Sequence, residues 1–382
     1  PITSAPWNPM PEIDFHQLLA MTDDTGLFQH ARYATPDPHH GYCIDDNARA
    51  LIAALLHQRL TGDEASPIPL QRYLAFLVYA FNDDISRFRN FMSYDRHWLE
   101  DVGSHDSQGR TIWALGLTVQ LAPDENARGA ARNLLHRAMP AVHDLQFLRS
   151  RAFALLGIDA YLQHERDDNA RQLRDHVAEH LFAAWCANAS DDWPWWEDVA
   201  TYDNAKLPHA LLVAGHAMRR PDMVDAALRS LAWLLDVQTA DAGHLSIIGN
   251  DGWLPRGGER APFDQQPLEA HALVHACLAA ARVTGHDAWA DHAWRCFRWF
   301  HGRNDLNIPL YDETTGGCQD GLNANGPNAN QGAESTLAYL LSVLEIHAYQ
   351  HERTAPARAQ NWPTVGLGLV GDNDARAWLS LW

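Results

Sequence analysis

Apolar residues recur three and four positions apart in six stretches of the chain. Each stretch follows a polar, turn-rich segment and opens into an Ala/Leu-rich helix. Aligned on their Ala-Leu or Ala-Tyr steps, the first three begin at Asp45-Asp46-Asn47-Ala48-Arg49-Ala50-Leu51, at His105-Asp106 running through Arg110 to Ala114-Leu115, and at Arg149-Ser150-Arg151 leading to Ala154-Leu155. The other three begin at Tyr202-Asp203-Asn204-Ala205-Lys206, at Asp264-Gln265-Gln266-Pro267, and at Asn330-Gln331-Gly332-Ala333-Glu334. Between them lie amphipathic stretches of a different character, at 71–81, 126–138, 170–184, 221–235 and 288–300. Small residues crowd the aligned set, among them Ala50, Ala53, Ala210, Ala214, Ala279 and Ala280, as suits helices that approach one another closely. Two helices per repeat and six repeats predict an all-α ring, an (α/α)6 toroid over residues 1–352. The aligned helices are expected inside and the amphipathic ones outside, with the long loops at one end.

Most aligned helices open with Asp, Asn, Gln or Pro, which accept hydrogen bonds from the unpaired amides there or lack the amide altogether. Asp46 and Glu334 both stand four residues before an aligned alanine, Ala50 and Ala338, and Arg110, Ser150 and Lys206 share their layer. First and last repeats are neighbours in a closed ring, so these carboxylates are expected on helices whose axes lie roughly 8 to 10 Å apart. An inverting glycosidase holds its acid and base roughly 6.5 to 9.5 Å apart. Asp203 and Glu197 are the expected replacements if the register differs. Sugar hydroxyls are expected to meet Asp45, His40, Tyr42, Asp106, Arg110, Tyr202, Lys206, Arg256, Asp264 and Gln331, which together offer donors and acceptors. Trp195 and Trp196 are expected to stack on sugar rings. Helix capping competes with chemistry for Asp45 and Asp46, a first-turn dipole contact for Glu334, and loop packing for the tryptophans.

On these residues the chain resembles the six-hairpin toroid glycosidase superfamily, from roughly Phe15 to His351. The resemblance implies an active site where the inner-helix N-termini converge, and an exo-acting hydrolase of a small glycoside or oligosaccharide. A sugar epimerase or isomerase of the N-acylglucosamine 2-epimerase type is the alternative. It would use histidines from inner helices, for which His209 and His271 are placed, although the sixth repeat carries Glu334 where that type would be expected to supply a histidine. A non-catalytic carbohydrate-binding accessory domain would use the tryptophans alone.

Net charge of −19 opposes phosphate backbones and anionic lipid, so a small carbohydrate is the expected partner rather than nucleic acid or membrane. The five cysteines are scattered, and neither they nor the 22 histidines show metal-ligand spacing, so no metal or cofactor is expected. No basic segment leads into an apolar run at the start, which favours a cytoplasmic location, or a periplasmic one if an export signal has been removed. Residues 353–382, rich in Pro, Gly, Asn and Asp, are expected to wrap the surface or lead to another segment.

Overall fold

The computed structural model describes residues 10–62 and 66–354, so all of the expected tail except Arg353 and Thr354 lies outside the described residues. Twelve helices appear among the described residues, in the order α1 (His16–Ala20), α2 (Ile44–Thr61), α3 (Leu70–Ala80), α4 (His105–Leu121), α5 (Glu125–Ala138), α6 (Leu148–Leu162), α7 (Asp168–Asn188), α8 (Lys206–Ala217), α9 (Pro221–Val237), α10 (Pro267–Thr284), α11 (Asp287–Phe297) and α12 (Ala333–Thr354). Polar caps start several of them: Ser104 accepts from the Ser107 amide at α4, Asp124 caps α5 and Asp167 caps α7. Pro221 and Pro267 open α9 and α10.

The even-numbered helices form the inner ring. Each packs on the next, and α12 returns to α2. Their side chains are buried around most of the circumference, whereas an outer helix such as α11 buries one stripe, Ala290, Ala293, Cys296 and Phe297. Helices α4 and α6 approach most tightly, because Gly116 and Gly157 face each other. A Cβ on Gly116 would lie 1.9 Å from the Gly157 carbonyl oxygen.

Helices α3, α5, α7, α9 and α11 each pack outside the inner helix that precedes them. The sixth hairpin is split across the chain, and its outer member is the five-residue α1, which packs against α12. Phe15, Leu18 and Met21 are buried at this seam. The Gln17 amide donates to the Gln331 and Ala34 carbonyls, both at 3.1 Å, and His347 Nε2 lies 2.8 Å from the Pro11 carbonyl. The first and last parts of the described chain thus close the ring together.

Connections from inner to outer helices are short, at 62–69, 122–124, 163–167, 218–220 and 285–286. Those that lead to an inner helix are long, notably 81–104, 189–205, 238–266 and 298–332. Every strand among the described residues lies at this second end, as two- or three-residue antiparallel pairs. Tyr42 pairs with Met92, and Ala200 with Leu254, so loops of different repeats are knitted together. No helix of the described residues is long and apolar enough to cross a membrane.

Candidate active site

Helix α2 begins after Cys43, whose side chain makes no cap, and the Asn47 amide bonds the Cys43 carbonyl at 2.8 Å. Asp45 and Asp46 therefore sit in the first turn without capping it. Asp46 Oδ1 accepts from Arg49 Nη1 at 2.8 Å, and the other nitrogen of that guanidinium donates to Glu334 Oε2 at 2.6 Å. The two carboxylates expected to be neighbours do meet across the seam, with Arg49 between them. Because one guanidinium spans both, the bonded oxygens are at most about 8 Å apart. Their surroundings differ: the Asp46 side chain is 4% exposed and that of Glu334 45%. Burial pushes Asp46 up to about 6, with Arg49 opposing and the Glu334 charge adding. Burial works against the charge of Arg49 as well, yet Glu334, Asp46, Asp45 and Asp203 together hold it above its ordinary value.

A second cation continues the row. Arg110 donates to Asp45 at 3.0 Å and to Asp203 Oδ2 at 3.3 Å. Asp203 is fully buried in the left-handed region at φ 47°, and its Oδ1 has no hydrogen-bond partner among the described residues. Such a conformation costs a non-glycine residue about 1 to 3 kcal/mol and persists only where its surroundings enforce it. Here Glu269 enforces it, accepting from the backbone amides of Asp203 and Asn204 and from the Asn204 side chain. Burial pushes Glu269 up to about 8, and the Asp203 charge adds to the shift. Arg149 then links Glu197 (2.7 Å), the Asn204 side chain (3.2 Å) and the Tyr202 carbonyl. The Tyr202 hydroxyl donates to Asp106 at 2.6 Å, and Ser150 donates to the other oxygen of Asp106. Carboxylates and arginines thus alternate around the inner-helix N-termini.

Lys206, the first residue of α8, is fully buried. Its ammonium lies 4.6 Å from the Trp113 ring centroid and 3.3 Å from His275 Nδ1. His275 Nε2 in turn lies 3.3 Å from Glu345. Burial lowers Lys206 to about 8, with Arg110 and Arg49 adding and Asp203 and Glu345 opposing. His209 and His271 flank His275, with ring centroids 4.3 and 5.9 Å away. Burial holds all three histidines well below the ordinary imidazole value, so they are neutral at pH 7. His209 Nδ1 and His271 Nδ1 have no hydrogen-bond partner among the described residues.

Asp45, Asp46, Asp106, Arg110, Glu197, Tyr202, Asp203, Lys206 and Glu334 all belong to these linked networks. Others expected at the site do not. Tyr42 is buried, stacked on Phe28 and bonded to Asp23, so it is a packing residue. Trp195 and Trp196 are buried edge to face, and the Trp196 indole donates to the Leu181 carbonyl, which leaves neither as a stacking platform. Arg256 pins the Asn188 carbonyl and Ser190. Gln331 is tied to Asp312 and Thr315, and Asp264 accepts from the Gln266 side chain. His40 is exposed in a short 3-10 turn against His30. Sequence reasoning missed Arg49, Arg149, Glu269, His275 and Glu345, each of which has a partner on another repeat. It also missed a signal in plain view: of the 29 lysines and arginines, Lys206 is the only lysine. No group of three His, Cys, Asp or Glu side chains suited to a metal ion occurs among the described residues.

No protein-family model matches the chain, and no curated protein matches it. Solved structures do. A sugar epimerase from a ruminal bacterium superposes with a TM-score of 0.69 at 9% identity, covering 90% of this chain and 96% of its own. Cellobiose 2-epimerase from Bacillus thermoamylovorans matches with a TM-score of 0.69 at 12% identity, covering 88% and 95%. An α-1,6-mannanase from Salegentibacter, in an inactive variant with two consecutive aspartates replaced and α-1,6-mannotetrose bound, matches with a TM-score of 0.58 at 12% identity, covering 87% and 96%. The fold shared with all three is an (α/α)6 toroid.

Proposed function

Starting from a toroid fold shared with sugar epimerases and a mannanase, we propose that this protein is a glycoside hydrolase of a small glycoside or oligosaccharide. Its catalytic unit would be the single domain within residues 1–352. The observation that carries the reading is the Asp46 and Glu334 pair, joined by Arg49, with one partner buried and the other half-exposed. Burial raises the proton affinity of Asp46, which suits it to the role of acid and leaves the half-exposed Glu334 as base. Asp46, shifted upward by burial, is the proton donor to the leaving oxygen. Glu334, open to solvent, is the base that takes a proton from water as the water attacks the anomeric carbon. Among the described residues Asp46 Oδ2 meets only the Cys43 thiol, a weak donor at 3.0 Å, so a proton on this oxygen can turn to a glycosidic oxygen. A separation of at most about 8 Å admits the inverting range, and the product anomer distinguishes it from the shorter retaining one. The long loops at this end favour a closed pocket and exo action. The mannanase neighbour adds support, since its variant lacking two consecutive aspartates is inactive and Asp45-Asp46 is such a pair.

The test is a panel of manno-, gluco- and galacto-oligosaccharides with product anomers followed by NMR from the first minutes. Inverted sugar is expected, with turnover reduced on the order of 10²- to 10⁴-fold in Asp46→Asn and in Glu334→Gln. Full turnover by both variants transfers the roles to Asp203 and Glu197. A second reading, epimerisation, is favoured by the neutral His209 and His271 with their unpartnered Nδ1 atoms, and by the epimerase neighbours. It predicts isomer formation without cleavage, abolished by His271→Ala.

A further inference from the structure

The chain meets every other need for a basic side chain with arginine, and places its one lysine fully buried at the start of inner helix α8. A guanidinium stays charged in proteins and cannot serve as a neutral amine, whereas an ammonium can lose its proton. The surroundings of Lys206 are those of an amine arranged to do so. His275 offers Nδ1 to it at 3.3 Å, and that contact fixes the imidazole tautomer with its proton on Nε2, directed at Glu345, 3.3 Å away. Nucleophile, base and an orienting carboxylate in line is the arrangement by which proteins activate a nucleophile. Burial disfavours the ammonium most, and Arg110 and Arg49 add to that effect while Asp203 and Glu345 oppose it. The Trp113 face, 4.6 Å from Nζ, holds the ammonium by a cation–π contact until the proton leaves.

We propose that Lys206 is a nucleophilic amine that captures the carbonyl carbon of an open-chain reducing sugar as an imine. His275 takes a proton from the Lys206 ammonium, and the freed lone pair forms a C–N bond to the sugar aldehyde carbon. The carbonyl oxygen gains that proton from His275 and becomes the hydroxyl of a carbinolamine. A second proton leaves nitrogen for that hydroxyl, the C–O bond breaks, and water departs as the C=N bond forms. Nothing is oxidised or reduced. Asp203, whose charge acts most strongly on Lys206 and whose Oδ1 has no partner among the described residues, would accept a proton from a sugar hydroxyl.

A single lysine makes the test unusually clean, because only the chain's α-amino group competes. The intact protein is incubated with D-mannose, D-glucose or glycolaldehyde and sodium cyanoborohydride at pH 7, and the adducts are mapped by peptide mass spectrometry. One reduced adduct on Lys206 is expected, absent from Lys206→Arg and from Lys206→Met while the α-amino background is unchanged. In His275→Gln the trapping rate is expected to fall at least tenfold at pH 7 and to recover at pH 9, where solvent base removes the proton. A merely structural histidine would not give that recovery. Adducts confined to the α-amino group with all three carbonyl probes would overturn the proposal, as would equal trapping rates in wild type and His275→Gln. Trapping reads a covalent bond rather than glycoside turnover, so it stands or falls separately from the hydrolase reading.

Discussion

Burying Asp46 penalises its charged form more than its neutral one, and Arg49 offsets only part of that penalty. The residue therefore carries a proton in the folded state, up to about pH 6, that it would lose near pH 3.8 when unfolded. Stability from this group is fully present below pH 3.8 and is lost as pH rises through about 6. Over that window the loss should be on the order of 3 kcal/mol. Asp46→Asn, which cannot ionise, should flatten this part of the profile. Denaturant unfolding of both proteins at several points between pH 4 and 7 measures the difference, and parallel profiles would mean that Asp46 titrates normally.

At the scale of elements, the ring depends on how closely its inner helices approach. The Gly116 and Gly157 pair leaves no room for a methyl group, since the intruding atom would meet backbone carbonyl and not a movable side chain. Gly157→Ala should therefore cost about 1 to 3 kcal/mol or more, despite the better helix propensity of alanine. A thermal melt of that variant checks it, and an unchanged midpoint would show that α4 and α6 can separate at little cost. The helices themselves were legible in the sequence because their period is local, and even the offset linking Asp46 to Glu334 can be counted along the chain. What fills the space between them was not. Arg49 reaches Glu334 across 285 residues, and Glu269 reaches Asp203 over 66. Such partners share no sequence window, and only packing brings them together. The tryptophan-rich loop misled for a related reason: burial, which decides between packing and stacking, depends on what lies above the loop. The lone lysine was legible throughout, as a matter of composition.

For the whole molecule, the decisive feature is the seam where α1 stands outside α12. Removing residues 1–21 would withdraw Phe15, Leu18 and Met21, each worth about 1.5 to 3 kcal/mol of burial, and would bare one side of α12. That loss approaches the total stability of an ordinary domain, so the truncated chain should lose its cooperative unfolding transition. Circular dichroism during heating is the measurement, and a sharp transition near the wild-type midpoint would show that the ring holds without its first segment. The same seam bears on synthesis. During translation, α1 and α2 leave the ribosome long before α12 exists, and Arg49 emerges with only one of its two carboxylates. A polypeptide halted ahead of residue 334 would have five inner helices and an open-ended Arg49. The Asp46, Arg49 and Glu334 bridge is thereby left open until the first turn of α12 has been made.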